Sequence, residues 1–171
     1  MSASDWERQV PFAMDWLGWA LFGLVATGAL TASMVAAQVA GLTRLDLPLL
    51  LGTVFVPDPD KARVVGFFMH MANGQVFALG YTAMFALWGR ATWWMGGLLG
   101  AVHGAIALLV IVPLVAGIHP RMATERAGLS AKAGLEPPGL LALNYGPESP
   151  LVAMVAHIAF GIALGLLISP T

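Results

Sequence analysis

The sequence predicts an all-α membrane protein: a bundle of four transmembrane helices with a short interfacial segment after the first helix. Hydrophobic residues make up 58% of the chain and charged residues only 10%, whereas about a quarter of the residues are charged in an ordinary soluble domain. Four separate stretches also reach the roughly 20 apolar residues that are needed to cross a bilayer core of about 30 Å. With 171 residues in total, residues 1–171 are expected to form a single integral membrane domain.

The four predicted spans contain no lysine, arginine or glutamate, although small and polar residues interrupt each of them. Only helices satisfy their own backbone groups in lipid over such lengths, because transmembrane strands are about half as long and alternate in polarity. The spans cover residues 14–39, 64–88, 92–118 and 150–168.

Two connections carry most of the sequence features outside the spans. The first contains Leu47–Val56, which is apolar but too short to cross the membrane and is flanked by prolines. Such a segment is expected to be interfacial or re-entrant. The third connection, residues 119–149, is rich in proline and glycine, which predicts a surface loop with at most one short helix.

The distribution of lysine and arginine predicts the orientation. Six of these residues lie in the first and third connections and two on the opposite side. The positive-inside rule therefore places these connections in the cytoplasm and both termini outside, in a bacterial cytoplasmic membrane. The tryptophans lie toward the termini side, as an aromatic belt would. The six cations are Arg44, Lys61, Arg63, Arg121, Arg126 and Lys132; the other two are Arg8 and Arg90.

Several function classes lack their characteristic residues. With no cysteine and a net charge of -1, the chain has no thiol chemistry, no iron–sulfur site and no basic nucleic-acid surface. It contains no phosphate-binding glycine loop, nucleophile elbow, zinc-protease motif or pair of intramembrane carboxylates. We therefore expect a non-catalytic protein, and a small transporter or channel is a less favoured interpretation.

Small residues recur at intervals of four in the third and fourth spans. The pairs are Gly96 with Gly100, Gly100 with Gly104, and Gly161 with Gly165. This spacing lets helix backbones approach closely, either within the bundle or against a partner helix.

Two histidines lie at matching depths in different spans. His70 is about 9 Å and His157 about 10 Å from the same membrane face, at a rise of about 1.5 Å per residue. Each is followed four residues later by a glycine, Gly74 or Gly161. An ionisable residue inside a membrane helix is by default a candidate functional residue. His103 is near the middle of the third span.

Three interpretations of His70 and His157 remain open. They fit a b-type haem with two imidazole ligands, beside which Gly74 and Gly161 leave room for the porphyrin. They also fit a metal site, such as copper(I) with added methionine ligands. In the third interpretation the two rings are structural and are hydrogen-bonded across the bundle. The candidate methionines are Met69, Met71, Met122 and Met154, and the candidate hydrogen-bond partners are Asn73, Gln75, Tyr81 or a backbone carbonyl of another helix.

Several motifs beyond Leu45 together resemble a group of small bacterial four-helix membrane proteins of unknown function. These motifs are LDLPLLLGTVF, GFFMHMANGQVFALGYTAMF, GAVHGAIALLVIVPL, HPRM and AHIAFGIALG. In that group the second helix opens with Gly-Trp-x-x-His-x3-Gly and the last contains His-Leu-x-x-Gly. Phe67 replaces the tryptophan here, whereas the histidines and their glycines match. The resemblance implies that these positions belong together and brings no activity with it.

The function that we expect from the sequence is that of a small integral-membrane accessory subunit, packed against a larger respiratory or photosynthetic assembly. The alternative is an electron-transfer protein that binds haem b or a metal through His70 and His157. The expected partners are membrane lipids and either another protein or further copies of the chain, and nucleic acid is not among them.

Overall fold

The computed structural model describes residues 14–122 and 134–168, and these residues are helical apart from turns, connecting segments and one isolated β-bridge. The prediction of an all-α fold is thus confirmed. Arg8, Arg126 and Lys132, which entered the orientation prediction, lie outside the described residues. The elements are α1 (Trp16–Val39), α2 (Leu47–Gly52), α3 (Pro59–Trp88), α4 (Trp93–Ile106), a π-helical turn (Ala107–Ile111), α5 (Val112–Ile118), a 3-10 helix (Leu140–Tyr145) and α6 (Ser149–Leu167).

In the described part of the chain, three continuous helical stretches are long and apolar enough to cross a membrane: Trp16–Val39, Trp93–Ile118 and Ser149–Leu167. They coincide closely with three of the predicted spans. Helix α3 contains the remaining predicted span and is the longest at 30 residues. It is not among the three because His70, Asn73 and Gln75 lower the mean hydropathy of its apolar run. A fourth crossing by α3 therefore stays a prediction.

Acidic residues outside the apolar stretches begin three of the helices. The side chains of Asp15, Asp46 and Asp58 accept hydrogen bonds from backbone N–H groups in the first turns of α1, α2 and α3, at 2.7, 2.9 and 2.9 Å. Each carboxylate satisfies a backbone donor that the helix itself leaves free. These acids thus have a structural role as N-terminal caps.

The long helices follow one another around the bundle in the order α3, α1, α6, α4. Helix α6 packs along α4 and α1, α1 also contacts α3, and the short α2 lies against α3. In contrast, α3 and α4 are consecutive in the chain but make little backbone contact. The bundle is consequently least tightly closed between α3 and α4.

The small residues predicted to mediate close packing do so within the chain. A Cβ atom on Gly96 would overlap the carbonyl oxygen of Gly161, and a Cβ on Gly161 would overlap that of Gly96. Gly100 and Gly165 face the backbone carbonyls of His157 and Thr92 in the same way. The α4–α6 contact therefore uses these glycines, which are not a free face for a partner helix.

The first and third connections meet at one end of the bundle. Arg44 donates its backbone N–H to the Tyr145 carbonyl at 2.7 Å, and the hydroxyls of Thr43 and Ser149 are 2.6 Å apart in a buried contact. The predicted short helix in the third connection is the 3-10 helix. The segment predicted to be interfacial or re-entrant forms α2 and a turn, with buried Leu50 and Thr53. It is packed against α3, and its interfacial or re-entrant position stays a prediction.

Candidate functional site

A cavity of about 100 Å³ lies inside the bundle, and its lining comes from α1, the short α2 and Leu45 before it, α3, the α4–α5 stretch and α6. Most of the lining is apolar, and among the described residues no carboxylate, lysine or arginine side chain belongs to it. Three histidines line it together: His70 from α3, His103 from α4 and His157 from α6. The two histidines that the sequence pairs by depth thus border one cavity, together with a third that the sequence did not assign to the site.

The close approach of α4 to α6 brings His103 into the site. A Cβ on the neighbouring Gly104 would lie 3.2 Å from the Cβ of His157. The rings of His103 and His157 are consequently 4.6 Å apart between centroids, and nearly perpendicular at 83°. The signal that could have indicated His103 is its position beside the small-residue spacing of α4, which marks the face that contacts another helix.

His157 has one nitrogen fixed by the backbone. Its Nδ1 lies 2.7 Å from the carbonyl oxygen of Ala153, one helical turn earlier. A carbonyl only accepts hydrogen bonds, so Nδ1 carries the proton, and the Nε2 of the neutral ring holds a lone pair. Histidines that ligate metals are oriented by the same kind of second hydrogen bond. The ring is therefore held in one tautomer, with an acceptor available for a further partner.

His70 differs from His157 because its Nε2 is buried without any hydrogen-bond partner among the described residues. The whole residue is only 9% exposed. One other buried side-chain atom in the described part of the chain lacks a partner, the Oε1 of Gln75. Gln75 does not line the cavity. Of the two residues with such an atom, His70 is the one that lines the cavity.

Two of the three side chains expected as partners of His70 are engaged elsewhere. The side-chain Nε2 of Gln75 donates to the Ala20 carbonyl at 2.9 Å, and the backbone carbonyl of Gln75 accepts from the Trp19 indole N–H at 2.9 Å. These bonds join α3 to α1. The Tyr81 hydroxyl lies 3.4 Å from Nδ1 of His103. The third interpretation of the sequence, a hydrogen-bonded structural His70, is thus not what the contacts show.

Aromatic rings form the side of the cavity between α3 and α4. Phe77 of α3 stacks on His103 with 3.9 Å between centroids and an interplanar angle of 26°. Phe160 of α6 meets the same imidazole edge-on at 5.9 Å. Asn73 is exposed and also lines the cavity. The cavity therefore approaches the surface at the weakly closed α3–α4 side.

Gly74 and Gly161 do not open space between His70 and His157. Gly74 lies against the side chain of Thr27 on α1, and Gly161 lies against the backbone of α4. The cavity is also smaller than the engineered cavity of about 150 Å³ that holds benzene. A porphyrin therefore does not fit in this packing, and the haem interpretation would require the helices to separate.

Metal coordination finds limited support in the same geometry. Within residues 14–122 and 134–168, no group of three or more histidine or acidic side chains is arranged to hold a metal ion. None of the candidate methionines Met69, Met71, Met122 and Met154 lines the cavity. A site with fewer protein ligands, such as His70 with His157, stays a prediction.

A second polar cluster lies where α5 ends. His119 accepts the Arg121 backbone N–H at Nδ1, 3.1 Å away, so its Nε2 donates to the Leu50 carbonyl at 3.0 Å. The Arg121 guanidinium donates to the carbonyls of Thr53 and, at 3.1 Å, Val54. These carbonyls belong to the C-terminal end of α2 and the turn after it. His119 and Arg121 thus cap α2 and not the helix that they follow, α5.

The environment of His119 lowers its pKa. Burial is the largest cause, the hydrogen bond to Leu50 opposes it, and the nearby positive charge of Arg121 adds to the lowering. The neutral ring is also the form that can accept at Nδ1 and donate at Nε2. The His119 contacts therefore depend on a neutral imidazole.

Comparison with known proteins does not supply a function for either cluster. The motifs of α3 and α6 still resemble the small four-helix proteins named above, and that resemblance stays a hypothesis. Compared with known proteins, the chain matches no family model, no curated protein and no solved structure.

Proposed function

We propose that this protein is an integral membrane protein that binds a small lipid-soluble ligand in the histidine-lined cavity. The observation that carries the proposal is the buried, unpartnered Nε2 of His70. A buried polar atom without a partner costs about 1–3 kcal/mol, and such atoms are rare in folded proteins. A ligand that meets this nitrogen, with His157 beside it, removes the cost.

We propose that α3 is the fourth transmembrane helix, which completes the bundle around the cavity. Its 30 residues extend about 45 Å at a rise of about 1.5 Å per residue, which is longer than a bilayer core of about 30 Å. Apolar side chains such as Phe68 and Val76 are 66% and 70% exposed. His70 is turned inward instead. This distribution suits a helix with lipid on one side and a ligand site on the other.

The proposed orientation follows from the charges at the two ends. Arg44, Lys61, Arg63 and Arg121 belong to the end formed by the first and third connections, whereas Arg90 belongs to the opposite end. The positive-inside rule assigns the first end to the cytoplasm in a bacterial cytoplasmic membrane. Exposed tryptophans of the opposite end, including Trp88, Trp93 and Trp94, suit the outer membrane interface.

The weakly closed side between α3 and α4 is the proposed route for the ligand. The cavity lining reaches the surface there at the exposed Asn73. A π-helical turn, Ala107–Ile111, interrupts the α4–α5 stretch and contributes to the same lining. Such turns occur frequently at functional sites. A ligand dissolved in the bilayer would enter sideways between these helices.

Ligand binding is favoured over the functions expected from the sequence because the histidine-lined cavity and the buried Nε2 of His70 support it directly. The glycine spacing that suggested an accessory subunit is used in the α4–α6 contact. The cavity of about 100 Å³ is too small for the porphyrin of the haem interpretation. The accessory-subunit and electron-transfer functions therefore stay predictions without a contact that favours them.

The proposal can be tested by thermal unfolding in lipid nanodiscs with single-ring compounds. A ligand at 100 times its Kd stabilises the folded state by about 2.7 kcal/mol, so the melting temperature should rise in a saturable manner. Ala107→Leu narrows the cavity and should abolish this rise, whereas Ala29→Leu, exposed on α1, should retain it. If no compound raises the melting temperature of the wild type, the proposal is wrong.

A further inference from the structure

We infer that the ligand is a neutral aromatic ring bearing a hydroxyl group, of the phenol or hydroquinone class, which donates its O–H to Nε2 of His157. This inference rests on the proposed function, because it specifies the chemistry of the ligand in the same cavity. It adds that the ligand donates a hydrogen bond, which a molecule that only accepts hydrogen bonds and a purely apolar molecule cannot do.

The donor requirement follows from the fixed tautomer of His157. Its Nδ1 proton is used by the Ala153 carbonyl at 2.7 Å, so the neutral ring has only a lone pair left at Nε2. A ligand carbonyl would bring a second lone pair to that nitrogen and would form no hydrogen bond. A ligand hydroxyl instead supplies the missing proton.

A second polar group of the cavity lining, the Thr27 hydroxyl on α1, also favours a ligand that donates a hydrogen bond. The Thr27 hydroxyl donates to the Gly23 carbonyl at 2.7 Å, so only its lone pairs remain for other partners. Thr27 and His157 both line the cavity and both offer acceptors. The unpartnered Nε2 of His70 can accept a second hydroxyl, or donate to the oxygen of the first, depending on its own tautomer.

The remaining lining favours a flat and uncharged molecule. Phe77 and Phe160 flank the His103 ring, and aromatic rings interact favourably in stacked and edge-to-face arrangements. Within residues 14–122 and 134–168 no charged side chain lines the cavity, so a carboxylate or ammonium ligand would lose its hydration without gaining a counter-charge. A neutral phenolic ring avoids this cost.

The volume indicates how such a ring is accommodated. The cavity of about 100 Å³ is smaller than the roughly 150 Å³ that holds benzene. The hydroxyl end of the ring therefore lies at the histidines, and its other edge extends toward the opening between α3 and α4. Substituents or an apolar tail on that edge would continue into the bilayer.

Isothermal titration calorimetry in nanodiscs with phenol, toluene and benzonitrile tests the inference. Toluene matches the size of phenol but has no hydroxyl, and benzonitrile is an unreactive ring that only accepts hydrogen bonds. Titrations into empty nanodiscs correct for partition of each compound into lipid. We expect phenol to bind about tenfold more tightly than either of the others, the effect of one additional hydrogen bond.

The outcomes separate this inference from the proposed function. If toluene or benzonitrile binds as tightly as phenol, the donor requirement is overturned while the ligand cavity stands. If none of the three binds to the wild type, both proposals fail. This comparison needs no variant, and His157→Leu provides a second measurement. In that variant phenol should lose its tenfold advantage over toluene, and an unchanged advantage would overturn the role of His157.

Discussion

Replacing His70 by leucine should stabilise the ligand-free protein, although most substitutions of buried residues destabilise. The wild-type Nε2 is buried without a partner, which costs about 1–3 kcal/mol. Leucine has a similar volume and no polar atom, so it removes this cost without leaving a large cavity. Allowing for imperfect packing of the branched side chain, typically below about 1.5 kcal/mol for a volume-conserving change, we expect a net gain of about 1 kcal/mol.

The free energy of unfolding can be measured by reversible denaturation with SDS in mixed micelles, followed by circular dichroism. His119→Leu is the matched control because His119 is also buried but has partners at both ring nitrogens. Its loss leaves the Leu50 carbonyl and the Arg121 N–H without their bonds, and we expect a destabilisation of about 2 kcal/mol or more. The same change of residue should therefore have opposite effects at the two sites.

A saturating ring compound should reverse the order of stability of the wild type and His70→Leu, because only the wild type offers the ligand both histidines. If His70→Leu destabilises the ligand-free protein by 1 kcal/mol or more and retains its helical circular dichroism, then Nε2 is satisfied in the folded protein. The reasoning that a ligand is needed to satisfy it would be refuted.

Three further predictions concern packing, capping and pH. Gly161→Ala should destabilise the protein by about 1–3 kcal/mol in SDS denaturation, because the added Cβ meets the α4 backbone. Gly80 has open space around it, so the control Gly80→Ala should stabilise the protein by about 0.5–1 kcal/mol. Equal effects of the two substitutions would contradict the assigned contact. Asp58→Ala should cost about 1 kcal/mol through loss of the α3 cap, whereas Asp58→Asn should restore most of it in the same assay. Folding lowers the pKa of His119, so the unfolded chain takes up the proton first as the pH falls. The contribution of the neutral His119 to the free energy of unfolding is complete above about pH 6.5 and is lost below it. His119→Asn should therefore show a smaller loss of stability between about pH 7 and 5 than the wild type, and identical pH profiles would contradict the role assigned to the neutral ring.

The helices could be predicted from the sequence because their lengths and apolar composition are local properties. Proline and aspartate also mark where α2 and α3 begin, since capping requires only neighbouring residues. The polar character of α3 was visible as well. It did not prevent the prediction that this helix spans the membrane, although hydropathy alone does not show that His70 faces inward.

The site could be predicted only in part. Depth along a helix depends on residue number, so His70 and His157 could be paired before their contacts were known. His103 could not, because its place in the cavity depends on which helix α4 packs against. The direction of Gln75 toward α1 and the fixed tautomer of His157 depend on side-chain contacts that residue spacing does not determine.

The cap on α2 has a consequence for the order in which the protein can be completed during synthesis. The Leu50 carbonyl is bonded by His119, which lies 69 residues later in the chain. Arg121 reaches Thr53 and Val54 over a similar separation. A growing chain that has already made α2 and α3 therefore lacks the groups that hold the end of α2. Final docking of this short helix must wait until the ribosome has passed Arg121, which makes it a late step of membrane assembly.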